Sequence, residues 1–135
     1  MVCIYCQSKT RVSNSRLQKR TNQVWRRRQC LNCHAIFTSL EHSAYDNTLA
    51  VQLGTSHIVP FQRDVFFLSI YEALRHRKSG ASDASALTDT VLGKLLAGQA
   101  NQGLIQRQTI VRTASDVLKR FDKAAHVQYM AFHPL

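Results

Sequence analysis

Four cysteines in the first 33 residues, spaced Cys3-x2-Cys6-x23-Cys30-x2-Cys33, constrain this chain more than any other feature. Two residues between cysteines let both sulfurs of a pair turn toward one point. Two such knuckles complete a tetrahedral shell of four thiolates around Zn2+. The loop between the knuckles is longer than the common pattern, but loop-closure entropy rises slowly with length. A shell of four protein ligands has no open coordination position, so the metal is expected to be structural and to do no chemistry. A segment of about 40 residues cannot bury enough apolar surface to fold alone, so metal binding and folding should be one event. Two other readings compete. Either Cys-x-x-Cys could be a redox dithiol, although such motifs usually open a helix in a βαβ unit, and neither pair has that context. His34, next to Cys33, could replace a thiolate, but four cysteines already close the shell, which leaves it as a surface residue.

Charge is concentrated at the same end. The chain of 135 residues carries a formal +10. Eight of its 18 Lys and Arg lie before residue 41, and the first acidic side chain is Glu41. A small surface with many cations and no carboxylates attracts a polyanion, whereas a merely solubilising face normally mixes signs. The chain opens without an apolar signal segment and contains no apolar run long enough to span a bilayer, so a cytoplasmic protein without a membrane partner is expected. The expected organisation is a zinc ribbon over residues 1–42, a hinge over 43–48 and a second domain over 49–135.

Between the knuckles, "TRVSNSRLQKRTNQVWRRRQC" alternates as strands do, with Val12, Leu17, Val24 and Trp25 as inward or stacking positions and Thr21-Asn22 as a turn. "AIFTSLE" supplies another strand through Ile36, Phe37 and Leu40. Arg26, Arg27 and Arg28 fall on the strand that enters the second knuckle. Side chains alternate along a strand, so at most two of the three face one ligand surface.

The residues "CIYC", "VSNSR" at 12–16 and "WRRRQCLNCHAIFTSLE", at these distances, resemble the N-terminal zinc ribbon of the NrdR family, bacterial repressors of ribonucleotide reductase genes. The family has an aspartate where Asn14 stands, followed as here by Ser15 and Arg16, and then a run of arginines before the third cysteine. The resemblance spans residues 1–41 and implies double-stranded DNA binding, with Arg16, Arg26, Arg27 and Arg28 as the contact residues. Arginine suits that role, because its guanidinium makes bidentate contacts to guanine edges or phosphates, and excess charge adds a salt-dependent affinity. Trp25 reads as a packing residue of a small core rather than a base-stacking platform.

In the remaining chain, "LAVQLGTSHIVPF" reads as a hairpin turning at Gly54-Thr55-Ser56. Helical spacing follows on Phe67, Ile70, Tyr71 and Leu74, with basic "RHRK" at its end and Gly80 as its stop. Further helices are expected over about 85–96, with "AGQANQG" as the loop after it, over about 106–121 and over about 123–132. The fold class is α+β: a small antiparallel zinc ribbon, then an α-rich domain with a β-hairpin.

"VPFQRDVFFLSIYEALRHR", "LTDTVLGKLL" and "VLKRFDKAAHVQYMAFH", in that order, resemble the ATP-cone, the nucleotide-sensing domain that follows the ribbon in NrdR proteins. That resemblance implies an ATP or dATP effector, and the family draws for it on a Lys-Arg-Asp-Gly-like segment before Pro60-Phe61. Here those places hold Leu53, Gly54, Thr55 and Ser56, and Val65 stands where the family has a lysine. A nucleoside triphosphate needs compensating cations. Arg63, Arg75, Arg77 and Lys78 are the available replacements, the last three also readable as an ordinary solvated helix end. ATP or dATP binding is therefore left open, and a domain that sets the oligomeric state of a homo-oligomer without a ligand is the alternative. Relatives usually continue past the point matching Leu135, which implies that a C-terminal regulatory tail is missing. His57, His76, His126 and His133 show no metal spacing, and no nucleophile-base set or phosphate loop is present, so the chain is expected not to be an enzyme. Two functions follow from the sequence: a DNA-binding transcriptional regulator, or an adaptor whose basic ribbon docks on RNA or an acidic protein surface. Single-strand binding is disfavoured because the ribbon lacks several aromatic platforms.

Overall fold

The computed structural model describes residues 1–98 and 103–134, which form two compact units, 1–43 and 44–135. The first unit is a single antiparallel sheet in the order β1-β2-β3, with β1 Thr10–Gln18, β2 Gln23–Cys30 and β3 Ile36–Glu41. A turn at 19–22 joins the first two strands and ends on Asn22, whose φ of 50° suits asparagine better than most residues. The register of β1 on β2 shifts between Val12 and Asn14, a one-residue bulge. Val12 and Leu17, expected to point inward, are 43% and 61% exposed. The reason is architectural. One sheet with no second layer inside its unit has no interior to receive them, and even Val24, Trp25 and Phe37 reach no more than half-burial.

The second unit begins with one helical turn, α1 Tyr45–Thr48, in the segment expected to be a hinge, and Tyr45 packs against the core of this unit. The expected hairpin follows as β4 Ala50–Leu53 and β5 His57–Pro60, with Gly54 at φ +67° in its turn. A short strand absent from the sequence reading, β6 Leu104–Gln106, pairs parallel to β4, so the hairpin is part of a three-stranded mixed sheet ordered β5-β4-β6. Ile105 from β6 and Val51 from β4 enter the core from that sheet.

Four helices complete the unit: α2 Arg63–Leu74, α3 Gly80–Gly98, α4 Arg107–Phe121 and α5 Lys123–Phe132. Their buried positions repeat with the helical period, as in Ala84, Leu87, Thr88, Val91, Leu92 and Leu95 of α3 and Ile110, Val111, Ala114, Val117 and Leu118 of α4. Full burial of side chains such as Ile70, Leu92 and Leu118 stabilises the unit by about 1.5–3 kcal/mol each.

Gly80 differs from expectation. It does not stop α2, which ends at Leu74; it opens α3, which therefore starts earlier than the expected 85. A Cβ at this position would sit 2.7 Å from the Leu74 carbonyl oxygen, so glycine is needed for α3 to begin against the end of α2. The expected loop 97–103 falls largely on 99–102, outside the described residues, while Ala97 and Gly98 still belong to α3.

Arg77 clasps the helix junctions together. Its guanidinium donates to Asp83 at 2.9 Å and to Asp122 at 3.1 Å and lies over the Phe121 ring at 4.8 Å. Asp122 is also the N-cap of α5, accepting from the amides of Ala124 and Ala125, and pairs with His76 at 3.1 Å. The Ala125 amide above all, followed by His76 and Arg77, holds its carboxyl down at about 2. A carboxyl lowered in the folded state contributes stability above its unfolded pKa and loses it as pH falls toward the folded value. Asp122→Asn should therefore flatten the acid limb of the unfolding midpoint between roughly pH 4 and 2, measured by urea titration at several pH values. An unchanged limb would rule out this clasp as its source.

One side chain of the core lacks a partner. The Thr88 hydroxyl is fully buried, with no hydrogen bond among the described residues. Thr88→Val removes that orphan group at constant shape and should raise stability by about 1 kcal/mol, or roughly 4–8 °C in the melting temperature of a unit this size. Calorimetry of the two proteins checks it.

Candidate functional site

The four sulfurs converge at one end of the first sheet. Cys3 and Cys6 lie in a turn before β1, Cys30 ends β2 and Cys33 lies in the turn before β3. Their Sγ atoms all fall within 4.8 Å of one another, with Cys3 to Cys33 at 3.7 Å and Cys6 to Cys30 at 3.4 Å. A tetrahedral shell with zinc–sulfur bonds of about 2.3 Å places its sulfurs about 3.8 Å apart, whereas a disulfide needs about 2.05 Å. The donor set fits zinc and not a disulfide pair.

The two knuckles share one backbone design. The residue after the second cysteine of each takes a left-handed conformation, Gln7 at φ 58° and His34 at φ 59°. Each turn then aims amides at sulfur: Tyr5 donates to Cys3, and Asn32 and Cys33 both donate to Cys30. His34 is thus a turn residue on the surface, outside the sulfur cluster. The Ser8 hydroxyl and amide, with Cys30, lower Cys6 to about 5. The Ala35 amide favours the Cys33 thiolate, yet Cys6, burial and the other thiols outweigh it and push Cys33 up to about 12. Four thiolates this close cannot all ionise without a cation among them, which is what a bound Zn2+ supplies.

The pairing register sorts the arginines onto opposite faces of the sheet. Residues directly opposite in an antiparallel pair share a face. Arg26 lies opposite Ser15 and Ser39, and Arg28 opposite Val12 and Phe37, on one face. Arg27 lies opposite Asn14 and Thr38 on the other face, together with Arg16 opposite Trp25 and Arg11 opposite Gln29. The first face is compensated in part: Arg26 makes an ion pair of 2.9 Å with Glu41 and contacts Ser15, while Arg28 keeps its charge and donates to the Ser39 hydroxyl at 2.8 Å. Arg16 and Arg27 are exposed, and among the described residues no carboxylate pairs with either. Arg11, missed in the sequence reading, joins this face with its guanidinium on the Gln29 amide oxygen. No local sequence signal marks it, because only the cross-strand register, which puts Arg11 opposite Gln29, shows which face it takes.

In the second unit the sequence-predicted nucleotide residues do not converge. Arg63 is tied to Asp89 at 2.6 Å, Arg75 to Glu72 at 3.3 Å and Arg77 to Asp83 and Asp122, while Lys78 is exposed. None of the four lines the cavity of about 540 Å3 beneath the mixed sheet, where the cation is Arg107; Arg75 borders a separate cavity beside Glu72 and His76. No helix of the described residues is long and apolar enough to cross a membrane.

Comparison with known proteins gives a consistent set of similarities. Residues 1–41 match the family model described as "Transcriptional repressor NrdR-like, N-terminal domain". A transcriptional repressor NrdR from Brucella ovis is 31% identical, covering 98% of this chain and 83% of that relative, and the Brucella canis protein matches equally. The protein of the same name from Nitrosomonas eutropha is 28% identical over 98% of this chain and 82% of its own length.

The first unit buries only two residues, Cys3 and Cys30, among those described. Zinc in such sites is worth about 10–16 kcal/mol of folding free energy. Stripping the metal with a strong chelator should unfold the ribbon and leave the second unit helical. The single tryptophan, Trp25, reports the ribbon alone, and far-ultraviolet circular dichroism reports the helices. Emission that stays constant after stoichiometric zinc removal would contradict metal-dependent folding.

Proposed function

The chain belongs to the NrdR family of transcriptional repressors, and from that premise we propose that its ribbon binds duplex DNA through the sheet face carrying Arg16 and Arg27, with Arg11 beside them. The observation that carries this reading is the asymmetry of the sheet. One face offers exposed guanidinium groups with no carboxylate, and the other has Arg26 neutralised by Glu41 and Arg28 held by Ser39. A polyanion gains most from unpaired cations, because binding them releases condensed counterions without first breaking an ion pair. On this face Trp25 stands between Arg16 and Leu40, as a stiff support that holds the arginine of β1 in place. Arg26 and Arg28 brace the opposite side and hold β2 to its neighbours. Zinc fixes the strand ends, so the guanidinium groups reach DNA already ordered and lose little entropy on binding.

The promoters of ribonucleotide reductase genes are the proposed targets. The second unit sets the oligomeric state, so that two ribbons meet two half-sites on one side of the duplex. Exposed apolar residues on its helices, Leu68 of α2 and Val127 and Phe132 of α5, favour self-association.

The test is duplex binding by fluorescence anisotropy across a salt series, with promoter fragments against shuffled ones. Arg16→Ala and Arg27→Ala should each weaken binding by about 1–3 kcal/mol where they read a base edge, or lower the salt slope by about one where they hold a phosphate. Arg26→Ala should leave the slope nearly unchanged. The reverse ranking would place the DNA on the other face and overturn the assignment.

A further inference from the structure

The cations of the second unit fall into two classes. Arg63, Arg75 and Arg77 are tied to Asp89, Glu72, Asp83 and Asp122 and are part of the fold. Those on the outer side of α4 are not. Arg112, Lys119 and Arg120 are exposed, and among the described residues no carboxylate pairs with any of them. Arg112 and Lys119 stand seven residues apart, two turns along one stripe of the helix. Arg120 lies beside that stripe, where it and Lys94 of α3 border a recess of about 120 Å3 with Thr113 and Asp116. Sites for small molecules start at about 300 Å3, so the recess has room for a phosphate group and not for a nucleotide. The helix dipole accounts for part of this charge, because Lys119 and Arg120 fall in the last turn of α4, where cations are favoured. It does not account for Arg112 in the middle of the helix, or for Lys94, which precedes the last turn of α3. A solvated face normally mixes signs, yet these four cations share one carboxylate, Asp116, which lies four residues from both Arg112 and Arg120 and pairs with neither among the described residues. Lipid does not suit this face. The apolar side of α4, Ile110, Val111, Ala114, Val117 and Leu118, is spent in the core, so a bilayer would meet charge with no apolar side to insert.

We propose that this face, made of Lys94, Arg112, Lys119 and Arg120, is a second contact with the phosphate backbone of the duplex DNA that the ribbon holds. The inference rests on the ribbon reading above. A ribbon already on DNA raises the local concentration of phosphate for the unit that follows it directly in the chain, so a surface too weak to bind alone gains from the tether. Contacts of this kind add affinity and salt dependence and carry no base information. Asp116, in the middle of the face, limits their strength and leaves the choice of sequence to the ribbon.

The experiment is fluorescence anisotropy of the zinc-loaded full chain across a salt series, on a promoter duplex, a shuffled duplex and a single-stranded RNA of equal length. Arg112→Gln, Lys119→Gln and Arg120→Gln combined should lower the salt slope by about two to three, and by the same amount on both duplexes. The three positions are exposed and glutamine is a comparable helix former, so the helix is kept. Asp116→Asn should act in the opposite direction and tighten binding at fixed salt, which a purely structural role for these side chains does not predict. A ribbon variant carrying Arg16→Ala and Arg27→Ala should keep a residual, sequence-independent binding at low salt that the triple change removes. A slope unchanged by the triple change, no tightening with Asp116→Asn, or an effect confined to the RNA would each overturn the proposal. The two readings fail separately. If Arg27→Ala lowers the slope and the triple change does not, the ribbon assignment stands and the helix face falls; the opposite pattern keeps the helix face and rejects the ribbon assignment.

Discussion

Four thiolates around one cation are what the amino-terminal unit has in place of a hydrophobic core. Its buried described residues are two of those cysteines, and large apolar side chains such as Ile4, Leu17 and Leu40 stand exposed. A lone three-stranded sheet of this size does not bury enough surface to offset the entropy of ordering its chain. The sulfur cluster ties the start of the chain to the end of β2 and the start of β3, so each strand has a fixed origin. Everything the sheet presents, including the spacing of its guanidinium groups, is set by that tie.

The alternation of strand side chains then turns a run of three arginines into two different chemistries. Arg26 and Arg28 meet Glu41 and Ser39 across the β2–β3 pairing and become part of the fold. Arg27, between them in sequence, faces away and remains available together with Arg16. An exposed ion pair contributes at most about 1 kcal/mol to stability, so Glu41 matters less as a fastener than as a means of removing charge from one side. A polyanion approaching such a sheet encounters one side with several unpaired guanidinium groups and another where Glu41 cancels Arg26 and only Arg28 keeps its charge. The charge difference between the two faces therefore follows largely from where one carboxylate sits.

How much of this was legible from the chain depended on how local each cause is. The knuckles were legible because both partners of each pair lie three residues apart and their donor chemistry is unambiguous. Helices α4 and α5 were legible because their buried positions recur along a single segment. What escaped depends on partners far away in sequence. Arg77 looked like a solvated helix end until Asp122, 45 residues on, proved to be its partner. Strand β6 is three residues long, too short to show any period, and exists because β4 offers it an edge. Val12 and Leu17 carried the right pattern for an inward face, but a pattern cannot show whether a second layer exists to receive it.

The second unit extends the same contrast to regulation. Its carboxylates consume the cations that a phosphate chain would need: Asp89 takes Arg63, while Asp83 and Asp122 take Arg77. Those pairs bind α2 to α3 and close the junction at the start of α5, so removing any one of these arginines would act first on stability. Leu53, Val59 and Val65 meanwhile make the space beneath the sheet apolar, with Arg107 alone at its cationic end. Charge used inside a fold is unavailable to a ligand, and the ion pairs of this unit leave its cavity a single cation.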